Sequence, residues 1–256
     1  MTAAVRRPVA MMFVLASVFA FVMALSAPAR AAGSGAFFDD DPDDDDAPVA
    51  VGDFNRDGIS DIAEVTLPGG GRSAQAFLRV LLGQKDGSYK QLTSSPALGR
   101  DPRTIAVGDF NGDGIPDVIV GDGDGSLVEL LGDGTGNMVP AGNVARVGRV
   151  VSVAVGDFNH DGKLDMAVSD PKANSVSILL GAGDGSFHSV WSFSLPMAGK
   201  VFHLATADFN RDGVPDLAVT YDEPDEFEVM LGNGNGTFTY SATLSKTRDP
   251  NSHCAT

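Results

Sequence analysis

Four short stretches of the chain repeat one arrangement of oxygen-bearing side chains. Val51-Gly52-Asp53-Phe54-Asn55-Arg56-Asp57-Gly58-Ile59-Ser60-Asp61 returns as Val107-Gly108-Asp109-Phe110-Asn111-Gly112-Asp113-Gly114-Ile115-Pro116-Asp117. It returns again as Asp157-Phe158-Asn159-His160-Asp161-Gly162-Lys163-Leu164-Asp165 and as Asp208-Phe209-Asn210-Arg211-Asp212-Gly213-Val214-Pro215-Asp216. Counted from its first aspartate, each loop has Asp, Asn, Asp and Asp at positions 1, 3, 5 and 9, with glycine at position 6. That glycine turns the backbone so that the carbonyl at position 7 can point inward. A set of carboxylates, an amide and a carbonyl, without His or Cys, suits calcium better than magnesium. Three carboxylates this close repel one another, so an empty loop is expected to be loose. Two other settings share the spacing. An EF-hand or dockerin loop sits between helices and often has Glu at position 12, but position 12 here is Glu64, Val120, Val168 and Val219. An Asx-rich turn needs no metal at all.

Such a loop needs firm elements on either side, and the flanks read as strands. Val49-Ala50-Val51 and Ile105-Ala106-Val107 enter it, Val118-Ile119-Val120 and Met166-Ala167-Val168 leave it, and Val176-Ser177-Ile178-Leu179 alternates. A second landmark follows each loop: Leu81-Leu82-Gly83, Leu130-Leu131-Gly132, Leu179-Leu180-Gly181 and Met230-Leu231-Gly232. Gly-rich pairs just after it supply the positive backbone angles of a tight hairpin. The pattern predicts an all-β chain of four units of about 50 residues, each with roughly four antiparallel strands, which is the size of a propeller blade. The units run about 48–98, 99–144, 145–195 and 196–243. Residues 244–256 begin an incomplete fifth unit or tail, where Arg248-Asp249-Pro250 echoes Arg100-Asp101-Pro102.

From about residue 48 to 243 the chain resembles the FG-GAP (VCBS) repeats of integrin-type β-propellers. The resemblance implies four-stranded blades, a calcium loop between the first two strands of each, and a propeller face that binds proteins or glycans. Carried over by position, it implies up to four Ca2+ ions. The side-chain ligands would be Asp53, Asn55, Asp57 and Asp61; Asp109, Asn111, Asp113 and Asp117; Asp157, Asn159, Asp161 and Asp165; and Asp208, Asn210, Asp212 and Asp216. Ile59, Ile115, Lys163 and Val214 would lend carbonyls, and Phe54, Phe110, Phe158 and Phe209 would pack between blades. Members of the family usually close a ring of seven blades, and four are present here. Either the tail adds a closing strand to the first blade, or two chains complete one ring as a homodimer, or the chain is a truncated propeller remnant.

The remaining composition narrows the class. Asp plus Glu number 34 against 18 Lys plus Arg, a net charge of -16, and such a chain repels nucleic acid and anionic membranes. The single cysteine, Cys254, excludes an internal disulfide framework. Residues 1–31 open with Arg6-Arg7, continue as an apolar run from Val9 to Leu25 broken by Ser17, and end on Ala29-Arg30-Ala31. That order predicts a secretory signal peptide, hence a secreted or extracytoplasmic protein that leaves the membrane on cleavage; the alternative is an uncleaved anchor. Residues 32–47 form an acidic linker dominated by Asp39 to Asp46, too charged to fold. No nucleophile motif or acid–base pair stands outside the four loops, so a binding module of the adhesion type is expected, its ligand an extracellular protein or glycan. The rival from another class is a polysaccharide-acting enzyme on a propeller scaffold.

Overall fold

The computed structural model describes residues 48–68, 75–94, 96–195, 201–221 and 226–245. The expected leader, the acidic linker, most of the loop at 222–226 and the tail from 246 lie outside the described residues. Within them the chain is all-β, with sixteen strands in four antiparallel four-stranded sheets and no helix. Blade 1 contains β1 (Val49–Gly52), β2 (Asp61–Thr66), β3 (Phe77–Gly83) and β4 (Tyr89–Gln91). Blade 2 contains β5 (Pro102–Gly108), β6 (Asp117–Asp122), β7 (Ser126–Gly132) and β8 (Met138–Arg146). Blade 3 contains β9 (Val153–Gly156), β10 (Asp165–Asp170), β11 (Ser175–Gly181) and β12 (Phe187–Ser194). Blade 4 contains β13 (Val201–Ala207), β14 (Asp216–Tyr221), β15 (Glu226–Gly232) and β16 (Phe238–Ser245). Strands pair in chain order within each sheet, as a meander must. The first strands β1, β5, β9 and β13 stand side by side in sequence, which is the blade arrangement of a propeller.

Cross-strand rows explain the packing. In blade 1, Ala50 pairs Ala63 and Ala63 pairs Val80, so the three form one apolar row. In blade 2, Val107 pairs Val118 and Val118 pairs Leu130. These two rows share one buried cluster, the seam between blades 1 and 2. The opposite face of blade 2 (Ala106, Ile119) meets Val153, Met166 and Val168 of blade 3 in a second cluster. Ala154, Ala167 and Ile178 then meet Leu204, Leu217 and Met230 of blade 4 in a third. The hydrophobic core is therefore three seams, each made of apolar side chains alternating to opposite faces of neighbouring sheets.

The central strand of each blade records how many neighbours it has. β6 and β10 are buried at every residue, because blades 2 and 3 are covered on both faces. β2 instead alternates between buried and partly exposed positions, so among the described residues a neighbouring blade covers one face of blade 1. The outermost strand β8 runs on to Arg146 and faces solvent at nearly every residue beyond Met138, which leaves little hydropathy signal in the sequence.

Candidate functional site

Each Asp/Asn loop lies between the first and second strand of its blade, as expected. Asp53 accepts hydrogen bonds from Asp57 N at 3.0 Å and Gly58 N at 2.9 Å. Asn55 Oδ1 accepts from Asp57 N at 3.0 Å, and Asp57 Oδ1 accepts from Ile59 N at 2.8 Å. The same bonds recur from Asp109, Asn111 and Asp113, from Asp157, Asn159 and Asp161, and from Asp208, Asn210 and Asp212. Positions 1, 3 and 5 are thus gathered on the amides of positions 5 to 7, those of Ile115, Lys163 and Val214 included. The position 6 glycines Gly58, Gly114, Gly162 and Gly213 all have φ between 80° and 87°, so the turn requires them.

Position 4 also lies in the left-handed region, at φ of 61° for Arg56, 60° for His160 and 64° for Arg211. A side chain there carries local strain. The sequence gives no hint of this, because only Gly112 marks the position with a glycine.

The fourth aspartate behaves differently from the other three. Asp61, Asp117, Asp165 and Asp216 are fully buried. Asp61 accepts from Phe54 N at 2.9 Å and from Gly83 N at 2.8 Å, one amide on each carboxylate oxygen. Asp117 does the same with Phe110 and Gly132, Asp165 with Phe158 and Gly181, and Asp216 with Phe209 and Gly232. This residue staples the loop to the end of the third strand, so the two sequence landmarks are one device. The glycine of the second landmark is required by close approach: a Cβ on Gly83 would stand 2.4 Å from Ser60 O. Burial pushes Asp117 and Asp165 up to about 6 against the opposing pull of these amides, and raises Asp61 in the same way.

The donor set fits a hard cation chemically, since it offers only oxygens. With position 9 turned inward, however, each loop gathers two carboxylates and one amide oxygen. Among the described residues no three acidic, His or Cys side chains converge as a metal-holding group.

The loop aromatics link the sites to the seams. Phe54, Phe110 and Phe158 are buried, and Phe110 meets Phe187 of the next blade edge-on at 5.8 Å. The main chain adds Gly185 N to Phe110 O at 3.1 Å and Gly236 N to Phe158 O at 2.9 Å. Phe209 breaks the pattern and is 48% exposed. His160 is exposed, with its ring lying along the backbone of Gly234 in the next blade. Trp191 stacks on Phe193 at 4.5 Å and packs against the third seam.

One acid outside the loops has an unusual setting. Glu129 is buried in the seam between blades 2 and 3, beneath Gly185, and its Oε1 has no hydrogen-bond partner. Burial first, then Asp117 and Asp184, push it up to about 7. It is 3% exposed within this seam.

The FG-GAP-like repeat family matches residues 53–120, 109–168 and 165–219. No curated protein matches the chain. Among solved structures, a protein of Lactobacillus plantarum is similar at a TM-score of 0.54 and 12% identity, over 72% of this chain and 52% of that one. The Tc holotoxin pore of Photorhabdus luminescens is similar at a TM-score of 0.47 and 17% identity, over 73% of this chain and 9% of that one. The chain thus spans about half of the first protein and a small part of the second. With four four-stranded blades and a repeat match across most of its described length, the chain belongs to the FG-GAP-like repeat family.

Proposed function

We propose that this chain is a secreted, calcium-binding β-propeller module that binds an extracellular protein or glycan. The observation that carries the metal reading is the fourfold recurrence of one hydrogen-bond pattern around positions 1, 3 and 5. Four loops of unrelated purpose would not hold the same oxygens on the same amides. Calcium, when bound, supplies the charge that lets these carboxylates stand together. Asp53, Asn55 and Asp57 and their counterparts hold it, with the carbonyls of Ile59, Ile115, Lys163 and Val214 in support. The position 9 aspartates contribute chiefly by fixing the loop to the blade.

Export is supported by the leader-like order of residues 1–31, and millimolar extracellular calcium matches the modest affinity of such loops. A binding rather than catalytic role is supported by Glu129, an acid outside the loops whose carboxyl is pushed up to about 7 and which is buried inside a seam. The net charge of -16 speaks against a nucleic-acid ligand. The test is thermal unfolding in millimolar calcium and again in EGTA. A large fall in melting temperature on chelation supports the reading, and an unchanged melting temperature rejects it.

A further inference from the structure

We propose that the outer face of blade 4 is a docking surface for blade 1 of a second copy of this chain, and that two chains close head-to-tail into one ring. Among the described residues, each seam joins an outgoing row of one blade to an incoming row of the next. The outgoing rows are Ala50–Ala63–Val80, Ala106–Ile119–Glu129 and Ala154–Ala167–Ile178, all buried. Blade 4 carries the matching row Ala205–Ala218–Val229, with Ala205 exposed and the other two partly so. The incoming row Val107–Val118–Leu130 is buried against blade 1. Blade 1 carries the matching row Val51–Ile62–Leu81, again partly exposed.

The aromatic contact repeats the same logic. Phe158 of one blade meets Phe238 of the next. At the two ends of the array the corresponding residues are Phe209 and Tyr89, exposed 48% and 52%. Blades 1 and 4 therefore carry the two halves of a fourth seam that no blade among the described residues fills. Aligned sheet faces of this kind are apolar surfaces that seek cover. A heterologous contact between copies either closes or propagates. Two copies of the four described blades give eight, within the range of known propellers.

Two departures set the strength of the seam. Glu64 replaces the valine found at Val120, Val168 and Val219 and is ion-paired with Arg79 across β2 and β3. In the turn of blade 1, Gly87 N donates to Gln84 O at 2.9 Å, where Gly185 and Gly236 donate to the preceding blade. Docking exchanges that internal bond for one to Phe209 O. Both features keep a lone chain soluble and make association depend on concentration.

The experiment is light scattering on the purified chain in calcium-containing buffer, with Val229→Lys and Leu81→Lys as variants outside the four loops. The wild type is expected at the mass of two chains, and each variant alone at half that mass with its fold retained by circular dichroism. An equimolar mixture of the two variants is expected to regain a two-chain species, because one chain keeps a good blade 4 face and the other a good blade 1 face. A wild type of single-chain mass at all concentrations overturns the proposal and favours closure within one chain. Oligomers that survive both substitutions, or a mixture that stays single-chain, overturn it equally.

Discussion

The ring of Phe158 meets the ring of Phe238 edge-on across the third seam, with centroids 5.3 Å apart and planes at 71°. One ring belongs to an Asp/Asn loop and the other to the hairpin turn of the next blade, so loop geometry and blade packing are coupled. Phe158→Ala leaves a ring-sized hole in a buried cluster and is expected to cost about 3–5 kcal/mol. A double-mutant cycle with Phe238→Ala should show coupling of about 0.5–1.5 kcal/mol, read from urea unfolding. Strictly additive effects would mean that the two rings do not communicate.

The staple makes a second expectation. Asp165→Asn keeps size but offers one acceptor oxygen where two amides, Phe158 N and Gly181 N, need acceptors. One buried N–H then faces an NH2 group, at a cost of about 1–3 kcal/mol. This loss should appear in EGTA as well as in calcium. Asp161→Asn, on the exposed side of the same loop, should weaken the calcium response while leaving the EGTA melting temperature nearly unchanged. If both variants behave alike, positions 5 and 9 share one role.

The blades and loops were legible because their signals are local. Alternating apolar residues, the position 6 glycines and the Leu-Gly landmarks each report on a few neighbouring residues. What escaped the sequence depends on long-range contact. That Asp61 reaches Gly83 is a relationship across two strands, and its type is the same as that of its ligand-like neighbours. The expectation that the position 2 aromatics pack between blades holds for Phe54, Phe110 and Phe158 and fails for Phe209. The residue is the same in all four; what differs is whether a following blade lies among the described residues. Glu129 was equally invisible, since its burial comes from Gly185 of another blade.

Glu129 supplies a pH dependence whose sign is fixed by its burial. Its folded-state pKa is raised to about 7 from 4.5, so between those values the folded chain binds more protons than the unfolded chain. Stability is therefore greatest below about pH 4.5 for this group and falls as pH rises through 7. The full swing is on the order of 3 kcal/mol. Asp117 and Asp165, pushed up to about 6, act in the same direction. Glu129→Gln removes its contribution and should make the chain more stable than wild type at pH 8. Urea unfolding at pH 5 and pH 8 reads the difference. A wild type and a variant with parallel profiles would show that Glu129 reaches water.

Calcium should act on stability by mass action through each loop separately. Extracellular modules bind with dissociation constants of about 0.1–1 mM, and at 1 mM calcium the tighter end adds about 1.4 kcal/mol per site. Four independent loops then add on the order of 6 kcal/mol, which for a chain of this size is a shift on the order of 15 °C in melting temperature. Removing one loop with Asp109→Ala and Asp113→Ala should lower the calcium stoichiometry by one and the shift by about a quarter. The same pair of substitutions in blade 4, Asp208→Ala and Asp212→Ala, tests independence, because no following blade adjoins that loop among the described residues. Calorimetric titration counts the sites and melting reads the coupling. Equal losses from blades 2 and 4 would show that each loop stabilises its own blade, whereas a larger loss from blade 2 would show that bound calcium acts through the seam against Phe110.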